Sequence, residues 1–299
     1  MLQSKKKSFN QIKIHSQYSI CEGALKIDDL KEYCKKNKIQ SAGLSDTYNL
    51  SGALEFSENI SSVGTQPIIG TQILFNYKNN FGIIPLIAKN YKGYKNIIEL
   101  SSKSYLENAH NDNPYCSIDD LLKFNDGIIV LSGSVNNLIG SLFNKGLIDE
   151  SDELIKLLKK RFGNNFYLEI QRHGDLNEKQ LEIYKLNLSN KYQIPIIATN
   201  EVYYLDKEMH EAHDALLCIG LKTYINDQKR LKLSNNHYFK STNEMVEIFK
   251  DLPEALENNY NLPFRCNFRP ITSRPILPNI SSNSLDVDED LKKNSLKGL

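Results

Sequence analysis

His15, Glu22 and Glu201 are the side chains of this sequence best suited to hold a metal ion or move a proton. One imidazole and two carboxylates can bind a zinc ion and leave a fourth position open to water, the arrangement of a hydrolytic centre. Lys13, two residues before His15, pulls the other way. A protonated lysine has no lone pair and repels a cation, yet it can neutralise buried carboxylates with no metal at all. We therefore read His15, Glu22 and Glu201 as a hydrogen-bonded polar cluster paired with Lys13. Glu169 and His173, in the run 166–174, read as polar contacts at a strand end. His210 and His213 stand three apart beside Glu211 and Asp214, a spacing able to ligate metal but assigned here to a structural helix. No Ser-His-Asp set, nucleophile elbow, P-loop or dinucleotide fingerprint occurs, which removes the common hydrolase and nucleotide-binding classes.

These residues need elements to position them, and the pattern along the chain is strand then helix, repeated. Residues 11–15 form a short extended run. Residues 27–36 place Ile27, Leu30, Tyr33 and Cys34 on one helical face. Strands are expected at 42–45, 68–75, 83–88, 127–131, 166–170 and 194–198, from apolar or β-branched runs. Helices are expected at 52–60, 94–105, 135–143, 149–161 and 177–190, and Gly52, Gly64, Gly70 and Gly93 read as turn glycines. Such alternation predicts parallel strands joined by helical crossovers. His15 then ends the first strand, Asp46 the second, and Glu201 follows 194–198. The number of strands favours a barrel over a small open sheet, a choice that periodicity alone leaves open, and in α/β barrels the working residues sit just after the C-terminal ends of strands.

The remainder is more helical. Residues 207–220 carry a stripe of Ala212, Ala215, Leu216 and Ile219, and a polar segment follows at 226–236. Ser241 and Glu244 form a capping box opening a helix through Phe249, and Pro253 starts the next helix at a position where proline is welcome. Pro270, Pro275 and Pro278 mark an extended linker. A helical pattern over 285–299 then stops without a cap, as a truncated chain would.

Four segments carry a family resemblance. They are Lys13-Ile14-His15-Ser16-Gln17-Tyr18-Ser19 with Glu22-Gly23, Leu44-Ser45-Asp46-Thr47, Pro67-Ile68-Ile69-Gly70-Thr71-Gln72, and Ala198-Thr199-Asn200-Glu201-Val202-Tyr203. In order and spacing they resemble the PHP (polymerase and histidinol phosphatase) domain, in the form that opens the alpha subunit of bacterial replicative DNA polymerase III. Residues 88–96 and 195–202 resemble the polymerase branch rather than the phosphatases. The resemblance implies an α/β fold, a distorted β/α barrel with seven strands, over residues 8–270. Residues 271–299 would be a linker and the start of the polymerase region. It also implies a metal site that has been lost. Lys13 stands where metal-binding members have the first His of a His-x-His pair, and Thr47 where they have a His after Asp. Gln72 stands in place of Glu, Ile83 in place of His, Ser134 in place of Cys, and Tyr203 in place of the His of Asp-x-His. His15 is kept, while Glu22 and Glu201 replace Asp. The implied function is a non-catalytic scaffold that braces the polymerase region and docks a separate proofreading exonuclease subunit. Other replicase subunits would be partners, and DNA would be reached through the full-length polymerase. No cofactor is expected in this piece, with Mg2+ belonging to the absent palm. The alternatives are a metal-dependent phosphoesterase or 3′–5′ exonuclease, and a free-standing binding module.

Bulk properties agree with a globular domain. The chain has 299 residues, 40% of them hydrophobic, and 37 basic against 36 acidic side chains give a net charge of +1. No global field therefore points to nucleic acid or to a membrane surface. No apolar stretch approaches the roughly 20 residues needed to span a bilayer, and the lysines at positions 5–7 read as a solvated tail. The 5 cysteines form no C-x-x-C pair, and their odd number suggests a reducing cytoplasm.

Overall fold

A computed structural model describes residues 7–107, 113–275 and 287–298. Lys5, Lys6, Pro278 and the beginning of the final helical pattern at Leu285 lie outside the described residues. The strands are β1 (Gln11–Ile14), β2 (Ser41–Thr47), β3 (Gln66–Tyr77), β4 (Asn80–Ala88), β5 (Tyr115–Ser117), β6 (Ile128–Leu131), β7 (Phe166–Ile170), β8 (Ile196–Ala198) and β9 (Glu201–Val202). They form one nine-stranded sheet in the order β8-β7-β6-β4-β3-β2-β1-β9, with β5 added beside β3. β8 and β9 stand at opposite ends of that order, yet only Thr199 and Asn200 separate them in sequence. The sheet must therefore curl until its two edges meet at this dipeptide.

The expected α/β barrel-like fold is present, with two differences. Among the described residues there are nine strands where seven were expected, because Tyr115–Ser117 and Glu201–Val202 are too short to register as hydrophobic runs. The strands are also not all parallel, since β4 runs antiparallel to both β3 and β6. The β3–β4 connection is a hairpin whose two turn residues, Lys78 (φ 48°) and Asn79 (φ 61°), are both left-handed, as in a type I′ turn. β3 is 12 residues long and β4 is 9, so the pair is a long ribbon where a crossover was expected.

Inward-facing residues make the barrel interior. Ile12, Ile68, Ile87, Ile129, Leu131, Tyr167 and Ile197 come from β1, β3, β4, β6, β7 and β8, and pack into one buried cluster closed by Leu262 and Cys266. Alternation along each strand then fixes what lies further up the barrel. Two residues beyond Tyr167 is Glu169, four beyond Ile68 is Gln72, and four before Ile87 on the antiparallel strand is Ile83. β1 carries a bulge: three steps from Gln11 to Ile14 oppose two steps of β2 from Ala42 to Leu44. Neighbouring Ile12 and Lys13 can therefore both turn inward, while Ile14 packs outward against the helices Ile27–Asn37 and Ala53–Ser62.

Two of the expected turn glycines serve close packing instead. Gly70 sits mid-strand, where a Cβ would lie 2.6 Å from the Leu86 carbonyl oxygen, and Gly93 abuts Gly127 so tightly that a Cβ would lie 1.8 Å from its carbonyl oxygen. Gly64, at φ +80°, fits the turn reading. The helix His210–Gly220 buries His213, Leu217 and Cys218 rather than the stripe read from the sequence, and Ile219 is 70% exposed. The buried face is shifted because His213 finds an acceptor, the Glu22 carbonyl oxygen at 2.7 Å. The seam is held from outside. Asn259, on the helix Pro253–Asn261, accepts from Asn10 N at 2.8 Å. It donates to the Asn10 and Ala198 carbonyl oxygens at 2.9 and 3.0 Å, joining the start of β1 to the end of β8.

Candidate functional site: a ring of polar side chains around a buried lysine

The strand ends bring the nine positions compared with the family's metal site to one end of the barrel, while His210, Glu211 and Asp214 stay on the helix His210–Gly220. Glu22, Thr47, Gln72, Ile83, Ser134, Glu201 and Tyr203 line a cavity of about 550 Å3, and Lys13 and His15 lie buried beneath it. Register explains the pairings: Lys13 is directly opposite Glu201 across β1 and β9, and Thr47 is opposite Gln72 across β2 and β3.

Lys13 is the centre of the arrangement. Its Nζ lies 3.1 Å from Glu169 Oε1 and 3.2 Å from Glu201 Oε1, with all three side chains buried. Burial alone pushes a lysine pKa down, but the charges of Glu169 and Glu201 outweigh it and hold Lys13 above its ordinary value. Burial likewise pushes Glu201 up. The charge of Lys13 and the hydrogen bond to His15 outweigh that push and hold it well below the carboxylate range. His15 Nε2 meets Glu201 Oε1 at 3.1 Å, and the ring stacks on Tyr203 at 4.3 Å between centroids. The Gln72 amide donates to Glu201 Oε1 at 2.7 Å. Gln171 donates to Glu169 Oε1 at 2.9 Å and to Thr199 Oγ1 at 3.1 Å.

Two sequence expectations are corrected. Glu22 does not join Lys13; its Oε2 accepts from Thr47 Oγ1 at 2.5 Å, away from the buried cation. Glu169 is more than a strand-end contact, since it is the second counter-ion of Lys13. Its inward position followed from alternation with Tyr167, a signal the sequence contained. Ser134 turns back to Asn137, donating from N and Oγ to Asn137 Oδ1 at 2.8 and 2.5 Å, and so caps the local turn. Asp46 is fully buried and accepts from Ser16 N, Ser16 Oγ and Ser19 Oγ at 2.7, 2.8 and 2.8 Å; burial raises its pKa despite these bonds.

A metal ion does not fit this ring. Of the donors in the ring, Glu169 and Glu201 already share the Lys13 ammonium at 3.1 and 3.2 Å and His15 Nε2 faces Glu201 Oε1, so a second cation there would meet a fixed positive charge. Positions that could complete a ligand set carry a hydroxyl, an amide, an alkyl chain and a phenol. Sequence reasoning also missed a neighbouring cluster. His173, Asp175 and His237 each offer a ligand atom, all within 4.8 Å of one another, and Asp175 and His237 reach the cavity wall.

A barrel-like α/β sheet whose strand ends encircle a polar pocket places the chain in a recognisable class. The chain belongs to the PHP domain family, whose family model matches residues 11–173. Over 97% of its length it is 34% identical to "DNA polymerase III subunit alpha" of Caulobacter vibrioides, covering 26% of that protein. It is 36% identical to the subunits of the same name from Rickettsia bellii and Borreliella burgdorferi, covering 97% of this chain and 25% and 27% of theirs. The chain thus spans about a quarter of the length of these relatives. Among solved structures it is similar to an amidohydrolase from Chromobacterium violaceum, at 11% identity and a TM-score of 0.45, over 66% of this chain and 88% of that one. Among the described residues no helix is long and apolar enough to cross a membrane.

Proposed function

We propose that this chain is the non-catalytic PHP scaffold of a replicative polymerase alpha subunit, bracing the polymerase region and docking a proofreading exonuclease subunit. The observation that carries the reading is Lys13, whose ammonium lies between Glu169 and Glu201 at the heart of the pocket. A fixed internal cation supplies the charge balance that a metal supplies in a hydrolytic site, but it brings no activated water. The relatives' shared name supports membership of a replicase, where Mg2+-dependent nucleotidyl transfer would reside in the palm. An apolar rim supports a protein-binding role. Ile20 is 82% exposed, and Ile20, Leu217, Leu221 and Leu231 border the same cavity. An overall charge of +1 makes strong independent DNA binding unfavourable.

The test mixes the chain with the cognate exonuclease subunit in sedimentation or calorimetry. The reading expects association at micromolar concentrations, with no metal-dependent cleavage of a primer by the chain alone. Folded partners that fail to associate would remove the docking role. Primer cleavage abolished by His15→Ala would replace the scaffold by an exonuclease.

A further inference from the structure

The cavity above the Lys13 ring is rich in acceptors that nothing fills. Its described lining carries three carboxylates, Glu22, Asp175 and Glu201, and no lysine or arginine. Two of the three have partners. Glu201 meets the Lys13 ammonium at 3.2 Å, and Asp175 Oδ2 meets His237 Nε2 at 3.1 Å, where a proton on the ring completes an ion pair. Glu22 has no such partner: Thr47 Oγ1 donates to its Oε2 at 2.5 Å, and among the described residues no cation pairs with it. A second observation comes from Gln171, a wall residue only 5% exposed. Its Nε2 is turned to Glu169 Oε1, Thr199 Oγ1 and Glu201 Oε2 at 2.9, 3.1 and 3.4 Å. That fixes the amide and leaves Oε1 with no donor among the described residues, a cost that a donor entering the cavity removes. The phenols of Tyr48 and Tyr203 also line the cavity, and neither hydroxyl has a hydrogen-bond partner among the described residues. Burial, with the charge of Glu22 next, pushes Tyr48 up to about 12. Burial, with the charges of Glu201, Glu22 and Asp175, holds Tyr203 well above its ordinary value. Both phenols therefore keep their protons.

We infer that this cavity is a binding site for a small organic cation, with a planar guanidinium or amidinium head seated on Glu22 and an apolar body against the rim. The head supplies only donors, which is what Glu22, the Gln171 carbonyl oxygen and the phenol oxygens lack. Its planar fork matches a carboxylate in a way a spherical ion does not, and it sheds water more readily than an ammonium. Among the described residues the Tyr48 ring stacks on no other ring, so a planar cation can lie against it. Glu22 stands apart from Lys13, bonded to Thr47, so the head avoids the fixed positive charge that excludes a metal ion from the ring. Ile20, Leu217, Leu221, Leu231 and Leu233 supply the apolar wall for the body. The volume of about 550 Å3 falls within the range of small-molecule sites, about 300–1,000 Å3. A single desolvated carboxylate calls for one positive charge, so the ligand is a monocation. The inference does not depend on the scaffold reading, because a free small molecule and not a partner protein fills the cavity.

The experiment titrates the purified chain with benzamidine hydrochloride and with n-butylguanidine hydrochloride by calorimetry at low ionic strength. Each cation is expected to bind at about one equivalent with a Kd at or below about 1 mM, within reach of ligands this small. Their neutral isosteres, benzamide and n-butylurea, should bind at least about ten-fold more weakly. Glu22→Gln keeps an acceptor for Thr47 but removes the charge, and it should weaken both cations by at least about ten-fold. Glu153→Gln, which alters an exposed carboxylate on the helix Ile148–Phe162, should bind them as the wild type does. Circular dichroism on each variant confirms folding, and the comparison of cation with neutral isostere on the wild type decides the matter if Glu22→Gln does not fold. The inference is overturned if neither cation binds the wild type at about 10 mM. It is also overturned if the neutral isosteres bind as tightly as the cations, or if folded Glu22→Gln keeps the wild-type affinity, which would leave only apolar or non-specific association.

Discussion

Replacing Lys13 by methionine is the sharpest perturbation the pocket offers. The wild-type chain balances one buried ammonium against two buried carboxylates, at 3.1 and 3.2 Å. At an effective dielectric of about 20, each contact has a gross Coulomb energy of about 5 kcal/mol. Most of that offsets desolvation, so the net cost of removing the shared partner is about 3–5 kcal/mol. This is a large fraction of the 5–15 kcal/mol that typically holds a domain folded. Glu201→Gln should be milder, about 1–2 kcal/mol, because Glu169 still neutralises Lys13. The pH dependence distinguishes the two chains. In the wild type the Glu201 pKa is depressed below 4.5, so its contribution is full above that value and fades as pH falls below it. In Lys13→Met the carboxyls are buried without a cation, which raises their pKa. The variant should therefore be weakest near neutrality and recover relative to wild type as the pH falls towards about 5. Urea unfolding followed by far-ultraviolet circular dichroism, at both pH values, measures this. The double variant Lys13→Met with Glu201→Gln removes one of the stranded charges and should regain part of the loss. An unchanged urea midpoint for Lys13→Met near neutral pH would refute the argument, since no buried ion pair could then exist.

Other expectations concern the scaffold. Asn259→Leu should cost at least about 3 kcal/mol, because it strands Asn10 N and the carbonyl oxygens of Asn10 and Ala198; thermal unfolding reads it out. Gly93→Ala should lower the melting temperature sharply or prevent folding, since its Cβ would lie 1.8 Å from the Gly127 carbonyl oxygen, and Gly64→Ala, with nothing within 4 Å, should lose only about 1 kcal/mol to its positive φ. Ser117→Ala should cost about 1 kcal/mol by removing the capping box that opens the helix Ile118–Lys123, measurable as a small shift in the urea midpoint.

What the sequence disclosed was set by how local the signal is. Continuous apolar runs such as Ile128–Leu131 announce strands covered on both faces, and the capping box at Ser241 with Pro253 at a first turn marks both helix starts. β5 and the helix after it went unseen because three strand residues carry no period, although Ser117 followed by Asp120 was a readable cap. The hairpin was hidden because Lys78-Asn79 contains no glycine to announce two left-handed residues. At the site, residue types located the pocket, but the partner of Lys13 depended on register. Lys13 meets Glu201 because β1 and β9 align them, and it meets Glu169 because β7 alternates inward at Tyr167. His237 was invisible for a different reason. It sits in an irregular segment with no periodicity, and only the folded chain brings it against His173 and Asp175.

The Asn259 bridge and the β1–β9 pairing also set an order of events. β1 is made before the other strands of the sheet, but its second edge is covered only by residues near Glu201, 186 positions after His15. The backbone N–H of Asn10 waits for an acceptor 249 positions later. A nascent chain would therefore carry an open strand edge through most of its synthesis, exposed to wrong pairing. Contacts this distant in sequence close late and slowly. β1 is thus the first strand of the sheet made and the last one closed on both edges, and Lys13 acquires its counter-charges only when the barrel shuts.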